Sequence, residues 1–311
     1  MPSPLAFAAL AGLVSAVLFA TALSGSPLAM IATYFAPLPL FAAGLARGFV
    51  AASLAGLAGT LAIAVVGGVA FALPFALAFA APTAILARQA LLARPGAAGN
   101  LTWYPAGDLV VSLAVLALAV FGGALVVMGL GEPDVPAALE NLVRATVATV
   151  NPALGERLTD ADVAASAALL PGIAAATWML MMAINGSLAQ AVLGRRGWNV
   201  RPAGGFLALV LPGWFGAVVV VGVLGLWLAD GWLRLAAGLA AFIGGLAHLL
   251  LGLAVVHATC RRWPWRTPAL VGFYAMLVFV NQLTVPAVVL LGLAEPWLRL
   301  RERFAGGGKE E

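Results

Sequence analysis

The chain has 311 residues, of which 63% are hydrophobic and 9% charged, with a formal net charge of +4. A soluble globular chain carries about 25% charged residues, so this composition cannot dress a water-facing surface and argues against a nucleic-acid binder. Its single cysteine, Cys260, excludes an intrachain disulfide framework.

Nine apolar segments follow in order, near residues 4–23, 28–46, 48–70, 72–92, 107–130, 165–194, 205–229, 233–258 and 268–294. A helical membrane span needs about 20 apolar residues. Continuous Ala/Leu/Val/Gly runs without period-2 alternation predict helices rather than a barrel. Residues 1–4 carry no charge, so the first segment is expected as a retained span rather than a cleaved leader. The second segment holds Pro37 and Pro39, and the fourth holds Pro74 and Pro82. Each proline frees a backbone carbonyl that neighbouring helices must satisfy, which predicts that these spans lie inside the bundle. Residues 131–164 form the long polar interruption. Within it, 135–150 places Leu139, Leu142, Val143, Thr146 and Val150 on one face, predicting an amphipathic helix at the membrane interface. Thr159 to Asp162 reads as the start of the sixth span.

Arginine in short loops orients a membrane chain. Arg47, Arg88, Arg94, Arg195, Arg196, Arg201, Arg261, Arg262 and Arg266 all follow even-numbered segments. The odd-numbered loops carry only Arg144, Arg157 and Arg234 among acids. The N-terminus and the even loops are therefore expected in the cytoplasm of a multi-pass protein of the bacterial inner membrane. The basic tail at 297–304 conflicts with nine full crossings. Two readings repair the parity: Asn281, Gln282, Thr284 and Pro286 break the ninth segment into two half-helices returning to one side, or a span is merged or missing elsewhere. The expected fold is all-α: one transmembrane domain, 1–311, a bundle of eight or nine segments.

Intramembrane polar residues are costly and point first to function. Asn185, His248, Asn281 and Gln282 are the candidate ligand-binding residues. Their bland alternative is an interhelical hydrogen bond, worth about 1 kcal/mol each. Gly48, Ala52 and Gly56 in the third segment, and Gly244, His248 and Gly252 in the eighth, recur at four-residue spacing. That spacing keeps small residues on one helix side and predicts a packing or docking face. No acid or base falls near the middle of a span. Phosphate-loop, His-Glu-x-x-His and Gly-x-Ser-x-Gly motifs are missing. His257 and Cys260 offer two ligands where a structural zinc takes four. No catalytic residue, metal or cofactor is expected, and the chain reads as a non-enzyme.

The run Ala36-Pro-Leu-Pro-Leu-Phe-Ala-Ala-Gly44-Leu-Ala-Arg47-Gly48 stands before a Gly-rich third segment. With the Asn185 helix before Arg195 and Arg196, the stretch Leu211 to Gly213, and the end Leu291 to Arg299, it resembles the YybS-like family of bacterial membrane proteins. The resemblance covers nearly the whole chain and implies an acid near the end of the last span, a place that Glu295 fills. Residues 1–194 are distantly similar to the substrate-capture subunits of energy-coupling-factor vitamin transporters. That likeness implies a six-helix bundle that binds a vitamin or metal from outside. It also implies docking on a helical coupling protein, with Gly48, Ala52 and Gly56 as the docking face. Residues 195–311 depart from it by adding further spans and a basic tail. The expected function is binding or transport of a small neutral or weakly polar solute. The alternative is a structural or assembly protein that acts through membrane protein partners. Its surroundings are the lipid bilayer, and no nucleic acid is expected.

Overall fold

Every apolar segment folds as helix in the computed structural model, which describes residues 3–24, 26–96, 100–155, 157–202 and 206–306. The first three helices are α1 Pro4–Ala20, α2 Pro27–Thr33 and α3 Pro37–Arg47. Each opens on a proline, whose missing N–H falls where a helix has no partner for it. Ser3 and Ser26 cap α1 and α2, each hydroxyl oxygen accepting an N–H three residues on. α4 Phe49–Gly67 follows, then α5 Val69–Ala90, which contains a π-turn at Ala76–Ala80. Gly48 and Gly68 join these helices as single residues at φ +89° and +76°, a left-handed backbone that glycine adopts without penalty. A short antiparallel pair, β1 Ala93–Pro95 and β2 Leu101–Trp103, leads to α6 Ala106–Gly131.

The later helices are α7 Val135–Val150, α8 Asp160–Arg195, α9 Gly216–Leu228 and α10 Gly231–Thr259. They are followed by α11 Arg266–Phe279, α12 Asn281–Leu298 and α13 Leu300–Gly306. Among the described residues, six helical stretches are long and apolar enough to cross a membrane, one of them Ala29–Arg47, which runs through the turn that joins α2 to α3. A seventh is added if α11 and α12, bent by 117° at their junction, make one span. The first and seventh apolar segments yield the shorter helices Pro4–Ala20 and Gly213–Leu228. The first shortens because the backbone tightens into a 3-10 turn at Thr21–Ser24. The seventh begins late, behind Pro212.

The chain divides into two compact units. The first comprises Met1–Leu116 and Trp178–Gly205. Its core is built on small residues and three phenylalanines. Gly12 of α1 lies against the backbone of Ala55 and Gly59 in α4, where a methyl group would overlap the Ala55 carbonyl. Phe19, Phe75 and Phe79 cluster beside this crossing, with ring centroids 5.3 to 5.8 Å apart. The second unit comprises Ala117–Thr177 and Phe206–Glu311. There Gly222 packs on Ala241, Gly172 on Gly238 and Gly252 on Val288, each without room for a side chain. Close approach of small residues is how helices associate where lipid removes the hydrophobic driving force.

The expected helix at 135–150 forms, and part of its apolar face packs on the protein. Val135, Leu139 and Val143 are buried with Leu125, Val163 and Leu235, whereas Leu142, Thr146 and Val150 are exposed. The row at i, i+4, i+8 packs on the protein itself. At roughly 100° per residue Thr146 and Val150 fall inside the arc of Val135, Leu139 and Val143, and Leu142 lies at its edge; the buried residues of this face are those nearer the start of the helix.

Candidate functional site

Helix breaks leave carbonyls unpaired, and the buried polar side chains of the first unit gather at such places. Pro37 has no N–H, and the Leu38 N–H turns back to the Phe35 carbonyl. Tyr34, four residues before Leu38, thus loses its helical donor. Asn185 of α8, 1% exposed, supplies the replacement. Its Nδ2 donates to the Tyr34 carbonyl at 2.8 Å and to the Met181 carbonyl at 2.8 Å. Ser15 of α1 donates to the Ala36 carbonyl of the same break at 2.6 Å. In α5, Pro82 cannot serve the Ala78 carbonyl, and the indole Nε1 of Trp178 donates to it at 2.9 Å.

Three polar atoms of the unit remain over. Asn185 Oδ1, Gln89 Oε1 near the end of α5, and the hydroxyl of Thr83, a residue with no exposed surface, are buried without a hydrogen-bond partner among the described residues. The orientation of the Asn185 amide is fixed, because its two bonded neighbours are both carbonyls and only the NH2 end can donate to them. The atom left over is therefore the oxygen. Gly186, the next residue, lies 3.5 Å (at its would-be Cβ) from the ring of Phe41, so α8 seats closely on α3 here.

The other candidates lie in the second unit. His248 of α10 is 2% exposed. Its Nδ1 lies 2.9 Å from the Gly244 carbonyl, and its ring stacks on Phe215 at 5.9 Å. A carbonyl only accepts, so Nδ1 carries the proton and Nε2 the lone pair. Asn281 and Gln282 are exposed at the start of α12. The buried polar group of that break is Thr284, whose hydroxyl donates to the Met276 and Val280 carbonyls. Glu295 is 6% exposed and accepts from the Leu300 N–H and from Arg301 Nε at 2.7 Å. Arg301 Nη1 also donates to the Leu207 and Leu209 carbonyls. This ion pair ties α13 to the segment before α9.

The small-residue rows meet neighbours within each unit. Ala52 is 1% exposed, and Gly56 is covered by Ala80. Gly48 is the joint between α3 and α4 and has open space where a side chain would stand. Gly244 is covered by Val218 and Val219 of α9, and Gly252 by Val288 of α12. An open cleft of about 410 Å³ lies at the start of α7, lined by Glu132, Asp134 and Asn141, away from every candidate residue. Among the described residues no group of three His, Cys, Asp or Glu side chains is placed to hold a metal ion.

Sequence reasoning singled out Asn185 and passed over Thr83, Ser15 and Trp178. The signal that could have found them is the proline pair, Pro37 and Pro82, each of which announces a carbonyl in need of a donor.

A family model described as "Predicted membrane protein (DUF2232)" matches residues 13–295. No curated protein and no solved structure matches the chain.

Proposed function

We propose that this chain, which belongs to the DUF2232 family of predicted membrane proteins, binds a small neutral or weakly polar solute within the membrane as a transport or capture subunit. The observation that carries the reading is Asn185 Oδ1, a buried acceptor without a partner beside a broken helix. An unmade hydrogen bond of this kind costs about 1–3 kcal/mol, and in a membrane no bulk water relieves it. A solute bearing an N–H or O–H group relieves it directly. Secondary transporters place their sites at discontinuous helices of this sort. The Thr83 hydroxyl and Gln89 Oε1 are the other unspent groups of the unit among the described residues.

The distant likeness of residues 1–194 to energy-coupling-factor capture subunits points the same way. On this reading the protein sits in the bacterial inner membrane with a cytoplasmic N-terminus, and it performs no covalent chemistry. The test is thermal unfolding of the purified full chain against a panel of uncharged solutes that carry hydrogen-bond donors. A true ligand at a hundred times its Kd adds about 2.7 kcal/mol of stability. One chemical class should stabilise the wild type and fail on Thr83→Val and Asn185→Leu. If no solute stabilises the chain and a membrane protein co-purifies in fixed ratio instead, the assembly reading replaces this one.

A further inference from the structure

We infer that one end of the first unit is a binding surface for the headgroups of anionic phospholipids. Three helix C-termini meet there. Gly44 packs on Ala87, with 2.6 Å between a would-be Cβ and the alanine methyl, so the last turns of α3 and α5 lie side by side. Those turns carry Arg47 and Arg88. Arg201 Nη1 donates to the Ala90 carbonyl at 3.1 Å, and Gln190 Nε2 donates to the Arg201 carbonyl. These two bonds bring the end of α8, with Arg195 and Arg196, to the same place. β1 adds Arg94 directly beyond α5.

The charge exceeds what the helices need. A helix end carries about half an elementary charge, negative at the C-terminus and positive at the N-terminus. The C-termini of α3, α5 and α8, set against the N-termini of α4 and α6, leave roughly −0.5. Arg47, Arg88, Arg94, Arg195, Arg196 and Arg201 face a single carboxylate in the whole unit, Asp108. Arg88, Arg94, Arg195 and Arg196 are exposed and form no ion pair among the described residues. Burial pulls Arg201 below its ordinary value, and its role is the bond to Ala90.

The surroundings favour a lipid over a free anion. The guanidinium of Arg88 lies 5.7 Å above the Phe49 ring and that of Arg196 lies 5.5 Å above Trp198. A guanidinium stacked on a ring keeps its edge donors turned outward, and that edge matches phosphate oxygens. Exposed Phe49, Val50, Leu92 and Val200 flank the arginines, offering apolar contact that acyl chains use and inorganic phosphate does not. Basic pockets at helix ends are a known kind of anionic headgroup site.

The full chain, purified and exposed to equimolar phosphatidylglycerol and phosphatidylcholine, gives the test by native mass spectrometry of the retained lipid. Each arginine near an anionic surface contributes about a factor of five, so phosphatidylglycerol should be enriched about tenfold or more. The triple variant Arg88→Gln, Arg195→Gln, Arg196→Gln should retain the lipids in the mixing ratio. The corresponding lysine variant should keep most of the preference, and Arg299→Gln with Arg303→Gln in the other unit should leave it unchanged. Should the glutamine variant fail to fold, salt on the wild type serves instead. At 1 M, where the Debye length is about 3 Å, the preference should fall away. Equal retention by the wild type, a preference untouched by the substitutions or by salt, or displacement of the lipid by inorganic phosphate would each overturn the proposal.

Discussion

Asn185, Trp178 and Thr83 show three fates for a polar side chain in an apolar bundle. Trp178 spends its one donor on the carbonyl that Pro82 leaves open. Asn185 spends its amide hydrogens and keeps an oxygen. Thr83 spends nothing. Threonine in a helix usually bonds its own carbonyl four residues back, as Thr60 and Thr259 do here. Thr83 stands just past the π-turn of α5, where the ladder is shifted. Replacing a buried hydroxyl that has no partner by a methyl of the same shape removes a cost of about 1–3 kcal/mol. Thr83→Val should therefore raise the stability of the ligand-free protein by about 1 kcal/mol, read as a higher midpoint in thermal unfolding; a lower midpoint would mean that the hydroxyl has a partner. Asn185 was legible in the sequence because an amide stands out in an apolar run. Thr83 and Trp178 were not, because their burial depends on which helix lies opposite, and no local pattern encodes that.

At the scale of elements, breaks were easier to read than faces. Pro37 and Pro39 stand in the second segment, and the chain turns there between α2 and α3. Asn281 to Pro286 predicted a broken ninth segment, and α11 and α12 meet at 117°. Both signals are local, since a proline removes its own N–H whatever surrounds it. The apolar face of α7 was legible from its period, but how far along the helix that face is covered was not, because burial depends on the helix lying opposite. The partnership of α5 and α8 gives a measurable coupling. Trp178→Phe should lower stability by about 1–3 kcal/mol by orphaning the Ala78 carbonyl. Pro82→Ala restores a backbone donor and should recover part of that loss in the double variant. Additive effects in the thermal unfolding of the four proteins would contradict the assigned bond.

For the whole molecule, the basic tail and the arginine loops make one topological statement. If α11 and α12 form a hairpin that returns to its own side, the tail lies with the loop that carries Arg261 and Arg266. Cys260 is the chain's one cysteine and is buried, so single introduced cysteines can be read against a silent background. Arg266→Cys and Arg303→Cys, both at exposed positions, should react with an impermeant maleimide from the same face of the membrane. Labelling from opposite faces would mean that the bent pair crosses. The helical, multi-pass character was legible from composition alone. The number of spans was not, because Pro4–Ala20 and Gly213–Leu228 are apolar throughout and fall short only in the structure.

At the centre stands Asn185 Oδ1, which waits for a donor that the described residues do not supply. An experimental map of the purified chain, at a resolution that shows ordered water and small ligands, tests this directly. The account predicts non-protein density about 2.7–3.2 Å from that oxygen, with the amide nitrogen still held by Tyr34 and Met181. A protein N–H or O–H bonded to Oδ1, or an oxygen sealed among apolar atoms with no density beside it, would contradict the claim and leave Asn185 as the clasp of a broken helix.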